Sequence, residues 1–421
     1  MSSAIAIVDA NCFYVSCERV FDAQLAKRPV VVLSNNDGCI IARSDEAKEL
    51  GLKMAAPLFK SQHLIEAYDV AVYSSNYALY GDMSQRVMEA LHEFTPEVEV
   101  YSIDEAFVGL DACAGKSFHN YGAEIKSKVY QWTGIPLSIG ISQTKTLAKV
   151  AQRFTKKMPE MQGVFDLTDP AEQTRVLEHT SVEDVWGIGQ AYAKLLKDAG
   201  IKTARSLRDA DRRWIRQRLT VVGARIVEEL RGIRCLSIEQ CPQQKKSVTC
   251  SRSFGVLVKS LDDLREAVAV YTTRAAERLR RAKLAASVMT VFISTDRFSK
   301  EPQYSNTITY ELACATDASD ELLKWTLKGL EQIYKPEFKY KKAGVMLNHL
   351  VPADQLSIRM FGDAAFERSR RLAKAMDEIN ARHGRDTIRF GVARSDGCWK
   401  TKFLRRSPHY TTSLKEVLLL R

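Results

Sequence analysis

Several things are missing from this chain of 421 residues. No apolar run approaches the ~20 residues that a membrane-spanning helix needs. The N-terminus, MSSAIAIVDANCFY, has no basic region and meets an aspartate at position 9, so it reads as a core strand rather than a signal peptide. A cytoplasmic, nucleoid-associated location is expected. The nine cysteines (12, 17, 39, 113, 235, 241, 250, 314, 398) are odd in number, scattered and without a C-x-x-C pair. That spacing argues against a disulfide framework and against a zinc module, and leaves them as buried small apolar residues.

What is present is ordinary globular material, 45% hydrophobic and 27% charged. The length exceeds the ~100 to 200 residues of one domain, so several domains are expected. The net charge of +11 is unevenly spread: residues 1 to 240 carry −2, residues 241 to 350 carry +6 and residues 351 to 421 carry +7. A near-neutral half joined to a basic half points to a polyanion grip attached to something else.

Along the chain, AIAIVDA and KRPVVVLSN read as strands, the second closed by the turn NNDG. EVEVYSID and EAFVGL read as antiparallel strands meeting at an Asp-Glu step, and PLSIGIS runs directly into the helix TKTLAKVAQRFTKK. Alternating strands and helices predict an α/β or α+β region to about residue 166. Residues 168 to 235 read as short helices separated by single glycines, and EQCPQQKKS as a linker. Beyond it the order is strand, helix, strand, strand, helix, strand, the ferredoxin-like split motif. The last 70 or so residues are polar and basic with one helix, FERSRRLAKAMDEINARHG, and read as a partly disordered tail.

Two acidic features carry chemistry. Asp9 ends a buried apolar strand, where an ionised carboxylate is costly unless compensated. Asp104 and Glu105 interrupt an apolar hairpin, and a bend between them would bring both to one ion despite the strand alternation. Hard oxygen ligands without neighbouring His suit Mg²⁺, although a capping aspartate and a solvated acidic turn would look the same. Lys145, Lys149, Arg153 and Lys156 recur on one face of a helix that follows a core strand. Such a stripe holds phosphates or is simply a solvated face.

Taken together, DANCFY (residues 9 to 14), SIDE (102 to 105), IGISQTKTLAKVA and WGIG (186 to 189) resemble a Y-family translesion DNA polymerase. LSNNDGCIIARSDEAKELG, SSNYALYGDMSQRV and RRSPHYTT narrow the resemblance to the UmuC-type branch, over the whole chain. The resemblance implies an α+β, right-hand-like polymerase. Its palm would be residues 1–21 and 77–167, its short fingers 22–76 and its helical thumb 168–235. A linker (236–246), a βαββαβ little finger (247–350) and a C-terminal partner-binding tail (351–421) would follow.

It further implies error-prone translesion synthesis in the SOS response. Asp9, Asp104 and Glu105, with the Ala10 backbone, would be ligands of two Mg²⁺ ions. Cys12, Phe13, Lys48 and Lys156 would meet the triphosphate, and Tyr14 would be the steric gate against ribonucleotides. Relatives place Tyr-x-x-Arg on the fingers, where this chain has Asp45 and Lys48; Asp45 is expected to turn away from phosphates.

Gly187 and Gly189 would form one half of a helix-hairpin-helix, and Arg252, Lys259 and Arg297 would grip duplex DNA. Gln355, Leu356, Ile358, Met360 and Phe361 resemble a sliding-clamp motif. The implied partners are primer-template DNA, dNTPs, the clamp, a processed UmuD-type dimer and a RecA filament. The rival readings are a non-catalytic DNA-binding scaffold and another palm-fold nucleotidyl enzyme such as a cyclase.

Overall fold

The computed structural model describes residues 4–110, 116–156, 158–239, 244–355, 364–394 and 397–417. Its elements run β1 (Ile5–Ala10), α1 (Phe13–Phe21), β2 (Val30–Leu33), β3 (Ile40–Arg43), α2 (Asp45–Glu49), α3 (Leu58–Ala67), β4 (Ala71–Ser74) and α4 (Tyr77–His92). There follow β5 (Val98–Val100), β6 (Glu105–Gly109), α5 (Phe118–Thr133), β7 (Leu137–Ser142), α6 (Lys145–Thr155), β8 (Val164–Asp166), α7 (Pro170–Glu178), α8 (Gln190–Asp198), α9 (Ala204–Arg208) and α10 (Arg212–Leu230). The chain folds as two compact units, and Met1–Ser34, Cys39–Pro242 and Arg405–Arg421 form the first.

The centre of the first unit is a five-stranded sheet in the order β5-β6-β1-β7-β8. Every residue of β1 is buried, which explains why IAIVDA is a continuous apolar run rather than an alternating one. Alternate side chains still go to opposite faces. Ala6, Val8 and Ala10 pack with α1, α4 and α5, whereas Ile5 and Ile7 pack with Phe107 and with Ala148 of α6. The helix α6 lies close against the sheet because Gly140 of β7 has no side chain; a Cβ there would collide with the main chain of Ala148 and Gln152.

A second, three-stranded sheet, β3-β2-β4, closes a small core of its own with Val31, Leu33, Ile40, Ala47 and Ile65. The helices α7 to α10 gather around Leu177, Leu196, Leu207 and Leu230. Gly187 there has φ +87, and a Cβ would meet Ile226, so glycine is required by both conformation and space.

The second unit is Asn35–Gly38 with Gln243–Leu404. Its elements are β9 (Ser247–Val258), α11 (Leu261–Arg281), β10 (Leu284–Ser294), β11 (Ser305–Thr316), α12 (Ser319–Ile333), β12 (Tyr340–Pro352) and α13 (Ala364–His383). The expected βαββαβ order is present, as an antiparallel sheet β11-β10-β12-β9 with both crossover helices contributing to one core.

Two expectations need correction. The polar C-terminal stretch is anchored at a few buried points, although most of its described residues are exposed: Trp399 is buried in the core of the second unit against Tyr271, and Ser407 is buried in the first unit. Isolated aromatic, hydroxyl and small apolar side chains, together with ion pairs such as Arg280–Asp377, supply its contacts. Of the seven described cysteines only Cys17 and Cys250 are buried, and Cys12 lies half-buried beside charged groups. Among the described residues no helix is long and apolar enough to cross a membrane.

Candidate active site

The chain leaves β1 through a tight turn in which Cys12 adopts φ 47 and ψ 42, a left-handed conformation that costs a non-glycine residue energy. Asn11 braces the turn: its N–H donates to Pro136 O at 2.9 Å, its side chain accepts from Ser138 Oγ at 2.7 Å and its carbonyl from Ser16 Oγ at 2.7 Å. The turn delivers the N-terminus of α1 to the end of the strand. No side chain caps that helix, so the first-turn N–H groups of Phe13 and Tyr14 form a site of anion-binding character next to Asp9.

Asp9 and Glu105 are directly opposite one another on β1 and β6. The bend needed to bring Asp104 to the same end exists: the N–H groups of Tyr101 and Ser102 both donate to Glu105 O at 3.0 Å, and Asp104 O accepts from Ala10 N at 2.8 Å. Asp104 therefore precedes β6 instead of alternating within it. Its carboxylate accepts from Ser102 Oγ at 2.5 Å.

The basic face of α6 is paired along its length, with Lys145 and Lys149 largely buried and Arg153 and Lys156 about half exposed. Lys156 Nζ lies 2.8 Å from Asp9 Oδ1, Lys149 Nζ 2.6 Å from Glu105 Oε1 and Lys145 Nζ 2.5 Å from Glu99 Oε2, while Arg153 pairs with Asp184. Lys145 and Lys149 also stand over the rings of Phe107 and Tyr101, each 4.8 Å from the centroid. Burial pushes the Asp9 carboxyl up to about 6, with Lys156 pulling it down and Glu105 adding to the rise. Lys149 escaped the sequence reading as a site residue, although it sits seven positions before Lys156, two turns away on the same face.

Among the described residues no three acidic, His or Cys groups converge on one point as a finished metal cage. Each of the three carboxylates instead has its own protein partner. The donor set nevertheless fits a hard divalent cation: it is all oxygen, one member is buried, and two members already hold a cationic ammonium within 2.8 Å.

Around this end of the sheet, the Tyr14 ring stacks on Tyr80 at 4.4 Å and 15° and tilts against Phe13 at 5.9 Å. Asp45 is paired on its own helix. Its Oδ1 accepts from Lys48 Nζ at 2.6 Å, because the two are one turn apart on α2, and Lys48 Nζ also lies 3.2 Å from Cys12 Sγ. The hydrogen bond from Lys48 holds the Asp45 carboxyl below its ordinary value despite partial burial, whereas burial raises the Cys12 thiol.

The remaining predicted residues lie elsewhere. Gly189 is the N-cap of α8, directly after the Gly187 turn. Arg252 is on β9, and Lys259 and Arg297 are exposed in the second unit; none of the three has an acidic partner among the described residues. Gln355 ends a short turn after β12, and Leu356, Ile358, Met360 and Phe361 lie outside the described residues.

This arrangement of sheets and helices is the fold of a Y-family DNA polymerase. It resembles a Y-family DNA polymerase chimera of Dbh and Dpo4 with a TM-score of 0.66, over 83% of this chain and 99% of that one at 19% identity. DinB from Sulfolobus solfataricus gives a TM-score of 0.52, over 82% and 98% at 18% identity.

In sequence, residues 8–153 match the impB/mucB/samB family, residues 245–360 its C-terminal domain and residues 370–419 a domain of unknown function. Protein UmuC of Salmonella typhimurium is 40% identical over 98% of this chain and 99% of its own, and Protein ImpB of Salmonella typhimurium is 38% identical over 99% of each. DNA polymerase IV of Brucella melitensis is 25% identical over 94% of this chain and 86% of its own. The chain belongs to the impB/mucB/samB family, the UmuC-type branch of the Y-family, and is a DNA-directed DNA polymerase of the translesion type. The scaffold and cyclase alternatives lapse with that membership.

Proposed function

We propose that the chain performs error-prone nucleotidyl transfer from dNTP to a primer 3′-hydroxyl at the end of β1, as part of the SOS response to DNA damage. One observation carries this reading: the opposed Asp9 and Glu105, with Asp104 at the bend, lie beside the uncapped start of α1. Acids and an anion-binding helix terminus at one place are what a metal-nucleotide complex requires.

In this reading Asp9, Asp104 and Glu105, with the Ala10 carbonyl, hold two Mg²⁺ ions in place of the present lysine contacts. When bound, the ions lower the pKa of the primer hydroxyl and offset charge on the α-phosphate and the pyrophosphate. Lys156, released from Asp9, meets the triphosphate together with the N–H groups of Cys12 and Phe13, and Lys48 adds a point charge from the fingers. Tyr14 excludes the ribose 2′-hydroxyl.

The first unit supplies palm, fingers and thumb, and the βαββαβ sheet is the little finger. Gly187 and Gly189 place backbone N–H groups on a DNA phosphate, and Arg252, Lys259 and Arg297 contact the duplex backbone. Residues 355 to 361 dock on the sliding clamp, and a processed UmuD-type dimer and a RecA filament complete the active assembly at the cytoplasmic nucleoid.

Primer extension by Asp104→Ala tests the site. Synthesis should fall about a thousandfold, equivalent to about 4 kcal/mol of transition-state stabilisation. Undiminished extension would overturn the assignment.

A further inference from the structure

Glu18 is one turn beyond Tyr14 on α1, is 2% exposed, and pairs with no cation among the described residues. A buried carboxylate is costly unless its oxygens are hydrogen-bonded. Its Oε1 accepts from the Tyr80 hydroxyl at 2.6 Å and from Ser407 Oγ at 3.0 Å, and burial raises its pKa while these two donors oppose the rise. Tyr80 is fully buried, and its ring is the one on which Tyr14 stacks.

Ser407 belongs to the C-terminal region that matches a domain of unknown function, yet it is built into the first unit. Asn76 Nδ2 donates to Ser407 O at 3.1 Å, to Ser407 Oγ at 3.0 Å and to Pro408 O at 3.1 Å. The same Asn76 caps α4, the helix that carries Tyr80. On either side, Arg405 exchanges two hydrogen bonds with Ser74, and Tyr410 stacks on Phe21 at the far end of α1 at 4.7 Å and 13°. Residues 405 to 410 therefore tie together the helix of Tyr14 and the helix of Tyr80.

We propose that Ser407, Glu18 and Tyr80 are positioning residues for sugar selection: Ser407 and Tyr80 converge on Glu18, and the Tyr80 ring sets the plane of Tyr14. Exclusion of ribonucleotides then depends on a segment almost four hundred residues away in sequence. A hydroxyl held by a buried carboxylate fixes the tip of the Tyr80 side chain and stops the ring from sliding, while the close packing around this fully buried ring holds the plane on which its neighbour stacks. This rests on the reading of Tyr14 as the gate.

The test is single-nucleotide extension by the full-length protein in its active assembly, comparing kcat/KM for a ribonucleotide and the matching deoxyribonucleotide. Tyr14→Ala sets the scale. Ser407→Ala and Tyr80→Phe should each shift the ratio toward the ribonucleotide by about three- to tenfold, the range of one lost buried hydrogen bond, and Ser407→Thr should restore it. In the Tyr14→Ala background, Ser407→Ala should leave the ratio where Tyr14→Ala put it, since both act on one ring. If Tyr14→Ala changes the ratio but neither Ser407→Ala nor Tyr80→Phe does, the positioning role is wrong and the gate stands. If Tyr14→Ala itself changes nothing, the gate reading falls and the proposal with it. An equal loss for both sugars in Ser407→Ala would reduce the contact to structural support and overturn the proposal.

Discussion

The basic face of α6 and three cations of the second unit, Arg252, Lys259 and Arg297, have the same kinds of side chain and opposite circumstances. On α6 every lysine and arginine of the stripe meets a carboxylate, and two of those carboxylates are the candidate metal ligands. Arg252, Lys259 and Arg297 have no such partner among the described residues. Charge cancelled in pairs projects little field and instead orients the groups it joins, whereas charge left open attracts a polyanion at a distance. The two sets of cations thus differ in how their charge is used, while other cations of the second unit, such as Arg265 and Arg280, are paired as those of α6 are.

The sharpest way to break the comparison is to empty one side of a pair at the reaction centre. Asp9→Ala should cut single-turnover extension by about a thousandfold, while its affinity for primer-template DNA in a filter-binding or anisotropy titration stays near that of the parent. A parallel loss of DNA affinity would merge the two regions into one.

Next in size is a pair away from the chemistry. Lys145 and Glu99 have side chains only 5% and 15% exposed. Lys145→Met leaves a carboxylate buried without its cation, and denaturant unfolding should show a loss of about 3 kcal/mol. Most of that loss should return in the Lys145→Met/Glu99→Met double variant. No recovery would mean that the lysine serves by packing alone.

The mildest test removes the open charges. Replacing Arg252, Lys259 and Arg297 together by Ala should reduce the slope of log K against log salt by about 2 to 3, with extension at saturating DNA largely kept. An unchanged slope would place the duplex grip elsewhere in the molecule.

Legibility in the sequence followed the range of the interactions. The strand-turn-helix from Ile5 to Phe21, the β7-α6 connection and the βαββαβ order are local patterns of apolar period and turn residues, and they were readable. Asp9 stood out because a carboxylate ends an apolar strand. The bend that reorients Asp104 was a conditional expectation, since Ser102-Ile103 has neither glycine nor proline to announce it.

Lys149 and Lys145 were invisible as partners because periodicity places residues on a face without saying what that face meets. The contact between Ser407 and Glu18 spans 389 positions, and a serine in a polar stretch carries no mark of burial. The Asp45–Lys48 pair, one turn apart on α2, follows from helical spacing and is legible in the sequence once α2 is placed.

The closeness of α6 to the sheet depends on a missing atom at Gly140, where any side chain would press on main chain rather than on a yielding side chain. The distance from helix to sheet is therefore one mechanical dimension shared by Lys145, Lys149 and Lys156, whose partners Glu99, Glu105 and Asp9 all stand on that sheet. A methyl group at that one position would act like a shim under a rack, shifting all three contacts at once without touching a charged residue.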